Sequence, residues 1–375
     1  MTAYLDNSAT TKPCEAAVQA AARMMSEDFG NPSSLHSLGL AAHRTVENTR
    51  ALLARSIGEE EKNTVVFTSG GTEANNLAVL GAAYAGRRAG NRIVTTAIEH
   101  ESVLESMNEL ERQGFEVVRI VPDREGHITK EQIFEAVTKE TILVSVMLVN
   151  NEVGTILPVE EISRAVKAAG APALIHTDAV QAYGKLPVKV KKLGVDLMTV
   201  TAHKIHGGKG AGALYLAKGV NLPARMLGGE QERRLRGGTE CTPMIAAFGA
   251  AIGCLKENSH DEIRALRDYA AERLGALDGI LFNSPRDASP YILNVSVEGI
   301  RSQTLIQALS DMEIYVSNGS ACAKGKKSHV LTAMGLPGDV IDSAVRVSFS
   351  RYTTRGDIDR LVLGIEQAQN ALARR

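Results

Sequence analysis

The sequence has no tryptophan, and aromatic residues make up only 4% of it, so rings that could stack on nucleic-acid bases are scarce. It also lacks an excess of either charge. Lys and Arg number 42 against 43 Asp and Glu, a formal net charge of -1, and no global field draws the chain to nucleic acid or an anionic membrane. The longest apolar runs, Thr141 to Val149 and Ile245 to Leu255, fall far short of the roughly 20 residues of a membrane-spanning helix. Cys14, Cys241, Cys254 and Cys322 lie far apart with no Cys-x-x-Cys pair, which argues against a zinc knuckle or a disulfide framework. Met1 to Thr11 carries Asp6 where a secretory signal would place a basic and then an apolar stretch. These absences lead to the expectation of a cytoplasmic protein that acts on a small ligand.

What is present suits a sizeable α/β protein. The chain has 375 residues, 44% hydrophobic and 23% charged, enough for two or three domains at about 150 residues each. Short Val/Ile/Leu-rich runs alternate with segments of helical period, the pattern of a mostly parallel sheet with helices on both faces. The expected strands are Thr64 to Thr68, Arg92 to Ala97, Val117 to Val121, Thr141 to Val149, Ala173 to Thr177, Asp196 to Val200 and Ala213 to Leu216. After a charged helix from Asp261 to Leu277, further strands are expected at Tyr291 to Val297, Glu313 to Val316 and Val345 to Phe349, in a smaller α+β domain. In the last of these, Val345, Val347 and Phe349 share one face, and Arg346, Ser348 and Ser350 the other. The expected division is a large domain over 16–255 and a small C-terminal domain over 256–375, with residues 1–15 joining the small one.

In an open sheet of this kind ligands bind at the carboxyl ends of the strands, so the residues after each strand carry the functional reading. Thr64 to Thr68 runs into Ser69-Gly70-Gly71-Thr72-Glu73 and a helix. Glycines that admit close backbone approach, a hydroxyl and free N–H groups make Gly71 and Thr72 a phosphate cradle. The other strands deliver His100, then Asn150-Asn151, then Asp178 with Gln181 one turn later, then Thr201-Ala202-His203-Lys204. Singly, each has a commonplace reading as a turn, an N-cap, a core histidine or a solvated lysine. Converging on one sheet edge, they are the parts that hold pyridoxal 5'-phosphate. Lys204 would form the Schiff base and Asp178 would keep the pyridine nitrogen protonated. His100 would stack and exchange protons, and Asn151 and Gln181 would hydrogen-bond the ring substituents. No dinucleotide or P-loop glycine motif competes.

This series of motifs resembles the cysteine desulfurases, fold-type I pyridoxal phosphate enzymes of the class V aminotransferase kind. The resemblance runs nearly end to end, through Leu5-Asp6-Asn7-Ser8-Ala9-Thr10-Thr11, Gly30-Asn31-Pro32-Ser33-Ser34, Thr68 to Asn76, Glu99-His100, Asn150-Asn151-Glu152 and His176-Thr177-Asp178-Ala179-Val180-Gln181. It continues through Ala202-His203-Lys204, Gly228 to Thr239, Gly319-Ser320-Ala321-Cys322 and Arg346-Val347-Ser348. It implies that Lys204 is the cofactor lysine, with Thr201 and His203 beside the phosphate, and that Thr239 reaches the phosphate of a neighbouring subunit, hence a homodimer. It also implies that Arg346, with Asn151, binds the carboxylate of an L-cysteine substrate.

The resemblance makes Cys322 the nucleophile that receives sulfur as a persulfide, leaving L-alanine, before passing it to an acceptor protein for iron–sulfur clusters, thio-cofactors or tRNA thiolation. Its setting agrees: small residues precede it, and Lys324, Lys326 and Lys327 favour the thiolate in a loop expected to be mobile. The other cysteines read as structural. The sequence departs from the family in a stretch after Cys322 about two residues shorter than in the housekeeping type, which bears on the loop's reach. Thr201 replaces a commoner serine, and Gly237-Gly238-Thr239 a commoner Ser-Gly-Thr. Within the fold, a selenocysteine lyase or an aminotransferase is the alternative. Outside catalysis, it is a cofactor-binding regulator or a sulfur-relay partner, although no basic helix-turn-helix segment is visible.

Overall fold

The computed structural model describes residues 2–255, 259–319 and 327–372. A short strand, β1 (Ala3–Tyr4), precedes the large sheet of β2 (Val65–Thr68), β3 (Arg92–Thr96), β4 (Glu116–Ile120), β5 (Thr141–Ser145), β6 (Leu174–Asp178), β7 (Leu197–Thr201) and β8 (Gly212–Leu216). Their order is β2-β8-β7-β6-β5-β3-β4; β8 is antiparallel to both neighbours and every other pair is parallel. Strand β2 therefore runs with β7, and the carboxyl ends of β2, β3, β5, β6 and β7 share one edge. Helices cover both faces, so neighbouring residues of β5 enter different cores. Leu143 packs with Leu77, Met107 and Leu110 of the helices Gly71–Gly86 and Glu101–Arg112, whereas Val144 packs in the larger cluster with Ile162 of the helix Val159–Ala169.

The apolar run Thr141 to Val149 forms a shorter strand than its composition predicts, because β5 ends at Ser145. Its neighbour β3 stops at Thr96, and the last pair between them is Thr95 with Ser145. Beyond that pair the Met147 amide donates to a side chain instead, the Glu99 carboxylate at 2.9 Å. The chain then turns at Asn150, whose side-chain oxygen accepts from the amides of Glu152 and Val153 at 2.9 and 3.0 Å. Apolarity set the burial of this run, and the missing ladder partner set its end.

The C-terminal part holds β9 (Ile280–Phe282), β10 (Ile292–Val297), β11 (Ile314–Tyr315) and β12 (Ala344–Ser348), with β10 between antiparallel β9 and β12. Strand β1 pairs in parallel with β11, and the Ser348 amide donates to the Leu5 carbonyl at 2.7 Å. The same segment then crosses to the large sheet, where the amides of Thr11 and Cys14 donate to the carbonyls of His203 and His206 at 2.9 and 2.8 Å. No helix among the described residues is long and apolar enough to cross a membrane.

Glu99, fully buried, ties the end of β3 to the turn after β5: its Oε1 accepts from the Thr96 hydroxyl at 2.8 Å as well as from Met147, and its Oε2 has no partner. Burial raises its pKa from 4.5 to about 8, against those hydrogen bonds, so the folded state keeps a proton that the unfolded chain releases. Stability should therefore be greatest below pH 4.5 and fall as the pH rises towards 8. Glu99→Gln removes this slope. Denaturant unfolding should show the variant more stable than the parent at pH 8 by about 1 kcal/mol or more, with the gap closing near pH 4.5; parallel curves would show that Glu99 is not the titrating group.

Candidate active site

The shared strand edge opens into a cavity of about 260 Å³. At one end lies the first turn of the helix Gly71–Gly86, where Gly71 and Thr72 line the space and the leading N–H groups have no intrahelical acceptor. The helix starts here because β2 runs straight into Gly70, packed so closely on β8 that a Cβ at Gly212 would stand 2.6 Å from the Gly70 carbonyl carbon. Glu73 steadies the turn, accepting from the Ser69 amide at 2.8 Å and from Arg236 Nε at 2.9 Å.

Asp178 ends β6 almost fully buried, its two oxygens held separately. Oδ1 accepts from the Val180 amide at 2.9 Å and Oδ2 from Asn75 Nδ2 at 2.7 Å. Asn75 also donates to Ser102 Oγ at 2.9 Å, and Ser102 Oγ lies 2.8 Å from His100 Nδ1. Because the Ser102 backbone amide donates to that same Nδ1 at 3.1 Å, Nδ1 is an acceptor, and the proton of a neutral ring sits on Nε2. Burial lowers the pKa of His100, with Asp178 opposing and Lys204 adding to the shift.

Lys204 closes the turn after β7. Its Nζ donates to the carbonyl of Ala9 at 2.7 Å and to that of Ser8. Gln181 Nε2 donates to the same Ser8 carbonyl at 2.9 Å. His203 stands 3.2 Å from Thr10 Oγ1, and burial, with the charges of Lys204, Lys209 and Lys185, pushes its pKa down to about 3, so the ring is neutral. The Thr201 hydroxyl donates to the Ala211 carbonyl at 3.1 Å.

The opposite wall comes from the smaller sheet. Arg346 is 2% exposed. Its Nη1 donates to the carbonyls of Asn151 and Gly319 at 2.7 and 3.1 Å, and its Nη2 to Asp6 Oδ1 and Ser317 Oγ at 3.0 and 2.8 Å. Arg346 Nε and Asn151 Oδ1 are buried without partners, and both residues line the cavity. Cys322 lies outside the described residues; Gly319 before it and His329 after it both line the cavity. Thr239 is exposed and is not among the residues lining the cavity. Cys14 is buried, Cys254 partly buried and Cys241 exposed.

Sequence reasoning missed the supporting groups. The Ser8 and Ala9 carbonyls have no side-chain signature. Asn75 does, since it lies four residues after Gly71 and so on the same helix face. Ser102 and His329 carry no comparable periodic signal. Together these groups fit pyridoxal 5'-phosphate: a helix terminus for an anion, an anchored carboxylate for a ring nitrogen, an amine between them, and unpartnered polar atoms on the far wall.

The aminotransferase class-V family model matches residues 3–361. A relative named cysteine desulfurase IscS from Methanosarcina thermophila is 40% identical, covering 96% of this chain and 90% of its own. Another, putative cysteine desulfurase IscS 1 from Bacillus subtilis (strain 168), is 41% identical and covers 94% of each. Among solved structures, a NifS-like protein superposes with a TM-score of 0.93 at 36% identity, covering 99% of this chain and 100% of that one. SspA in complex with cysteine superposes with a TM-score of 0.83 at 31% identity, covering 94% and 100%. Shared residues on this scale, along nearly the whole length, establish that the chain belongs to the aminotransferase class-V family and, within it, to the cysteine desulfurases, which use pyridoxal 5'-phosphate.

Proposed function

We propose that this protein takes sulfur from L-cysteine onto Cys322 and releases L-alanine, with pyridoxal 5'-phosphate held at Lys204. The observation that carries the reading is that the Lys204 amine, the anchored Asp178 carboxylate, the helix terminus at Gly71, Arg346 and both flanks of the Cys322 segment share one cavity. When bound, the cofactor supplies a carbonyl that condenses with amines and a ring that takes up negative charge from the adjacent carbon. Asp178 would keep the ring nitrogen protonated, its oxygens already fixed by Val180 and Asn75. The N–H groups of Gly71 and Thr72, with Thr201 and neutral His203, would take the phosphate. Gln181 and Asn151 would bind the ring substituents.

Arg346 would bind the substrate carboxylate. Its side-on fork of Nε and Nη2 has one open donor and one taken by Asp6 and Ser317, so a two-point grip displaces one of those acceptors. Lys204 Nζ, freed by the substrate amine, is our choice of base for the Cα proton. His100 offers Nε2–H and has Nδ1 occupied by an N–H donor, which fits a stacking, hydrogen-bonding role rather than proton uptake at Nδ1. The Cys322 thiolate would then attack the substrate sulfur: an S–S bond forms, the C–S bond breaks, and its electron pair stays with the three-carbon fragment, which gains a proton to become alanine. The persulfide sulfur would go on to an acceptor protein. We also propose a homodimer in which Thr239 completes the partner's phosphate site; Gly237, two residues before it, donates its amide to the Met226 carbonyl, and Leu227 beside Met226 is 87% exposed.

Replacing Lys204 with Ala should abolish alanine formation. Cys322→Ala should retain the cofactor but lose both the added sulfur and the alanine; peptide mass analysis after one turnover with L-cysteine checks this, and full activity in that variant would refute the assignment. Gly212→Ala drives a methyl into the Gly70 backbone and should weaken cofactor affinity about tenfold, ~1.4 kcal/mol, while also lowering the thermal stability of the stripped protein. Equilibrium binding of the cofactor to the stripped protein measures it.

A further inference from the structure

Lys204 also borders a second, smaller cavity of about 30 Å³, room for a single water. Lys204 lines both spaces, and Lys185 lines only the smaller one. Lys185 is buried, although no carboxylate lines this space; its charged and titratable neighbours there are Lys204, His206, Tyr291 and Arg351. Buried lysines are normally paired with an acid, so this placement calls for another reason. Its Nζ donates to Gln181 Oε1 at 2.8 Å and stands 5.7 Å from the centre of the Tyr291 ring.

A chain of bonds connects the two lysines. Lys185 donates to the oxygen of the Gln181 amide, the nitrogen of that amide donates to the Ser8 carbonyl, and Lys204 donates to the same carbonyl. An ammonium has donors only, so it accepts only one orientation of the amide, with the oxygen towards Lys185 and the nitrogen towards Ser8, in a side chain that also lines the main cavity. A neutral partner such as serine or asparagine would tolerate either orientation. We propose that Lys185 is a positioning residue that locks and polarises the Gln181 amide, so that its N–H is presented to the cofactor's ring oxygen beside Lys204. This rests on the cofactor reading above. Burial above all, and then the charges of Lys204 and Arg346, hold the Lys185 pKa down to about 7, so the ammonium that makes this one-way contact is the form present below that pH.

A donor on the ring oxygen withdraws electron density from the nitrogen that Lys204 contributes to the bound cofactor, and a nearby cation repels a proton from it. Both effects lower the pH at which that nitrogen loses its proton, a change visible in the cofactor's absorbance. In the cofactor-loaded protein, Lys185→Met should raise this midpoint by about one pH unit, because a one-unit shift corresponds to the loss of a single charge-assisted interaction of this size. Lys185→Arg, which restores donors and charge, should bring it back towards the parent value. Gln181→Met should give a similar rise, and the double variant little more than either single one. An unchanged midpoint in Lys185→Met overturns the proposal; if that variant does not fold, an unchanged midpoint in Gln181→Met does so. A parent protein with no Lys204-dependent absorbance would overturn the cofactor reading itself, a distinguishable outcome.

Discussion

The carbonyl of Ser8 is the point on which the site turns. It accepts from Gln181 and from Lys204, two side chains on the segments that follow different strands, β6 and β7, of the large sheet. Neither bond would exist without the segment that delivers it. That segment is held at one end by β11 and β12 and at the other by the carbonyls of His203 and His206. The chain's first dozen residues thus act as a strap between the two sheets, and the position of the Lys204 amine depends on both ends of the strap. A backbone acceptor suits this purpose: it cannot titrate, and its place is set by a ladder rather than by a rotamer.

The second constraint is the cost of burying charge. Arg346 sits 2% exposed on β12, and its guanidinium is supported by two backbone carbonyls, a hydroxyl and Asp6. With Asp6 the only charge among these partners, most of the support is neutral, and Nε is buried without a partner in a side chain that lines the cavity. Glu152, one residue after Asn151, accepts from the Ser328 hydroxyl at 2.5 Å, and a Cβ on Gly319 would stand 3.0 Å from its Oε2. The described ends on either side of Cys322 are thereby held against one buried carboxyl, whose pKa burial raises. Unsatisfied or weakly satisfied groups gather on this wall, where a substrate's own charges would complete them.

Neutral histidines complete the picture. His176, fully buried in β6, lies 2.8 Å from Ser145 and 3.1 Å from Thr199, and burial takes its pKa down to about 3. His203 behaves alike beside Lys204. Rings in this state fix geometry through directed N–H and N: positions without adding charge to a site that already concentrates lysines and an arginine.

Much of this was legible in the sequence, because period and punctuation are local properties. Alternating apolar runs located the strands, and the residues after each strand end had to meet at one edge once the sheet was parallel there, which is why Asp178, His100, Asn151 and Lys204 could be named together. Other features depended on partners distant along the chain. The run Thr141 to Val149 read as one strand until the end of β3 left Met147 to Glu99. The alternation in β12 suggested a polar face, and only the strap across Ser348 and Arg346 buried it. The sequence alone determined the residue types, their spacing and the shared sheet edge, since these follow from backbone geometry. The tertiary structure decided which carbonyl receives Lys204, which nitrogen of His100 carries the proton and what holds Gln181 in place, because a hydrogen bond is a property of two groups, and here the second group lies far away in the chain.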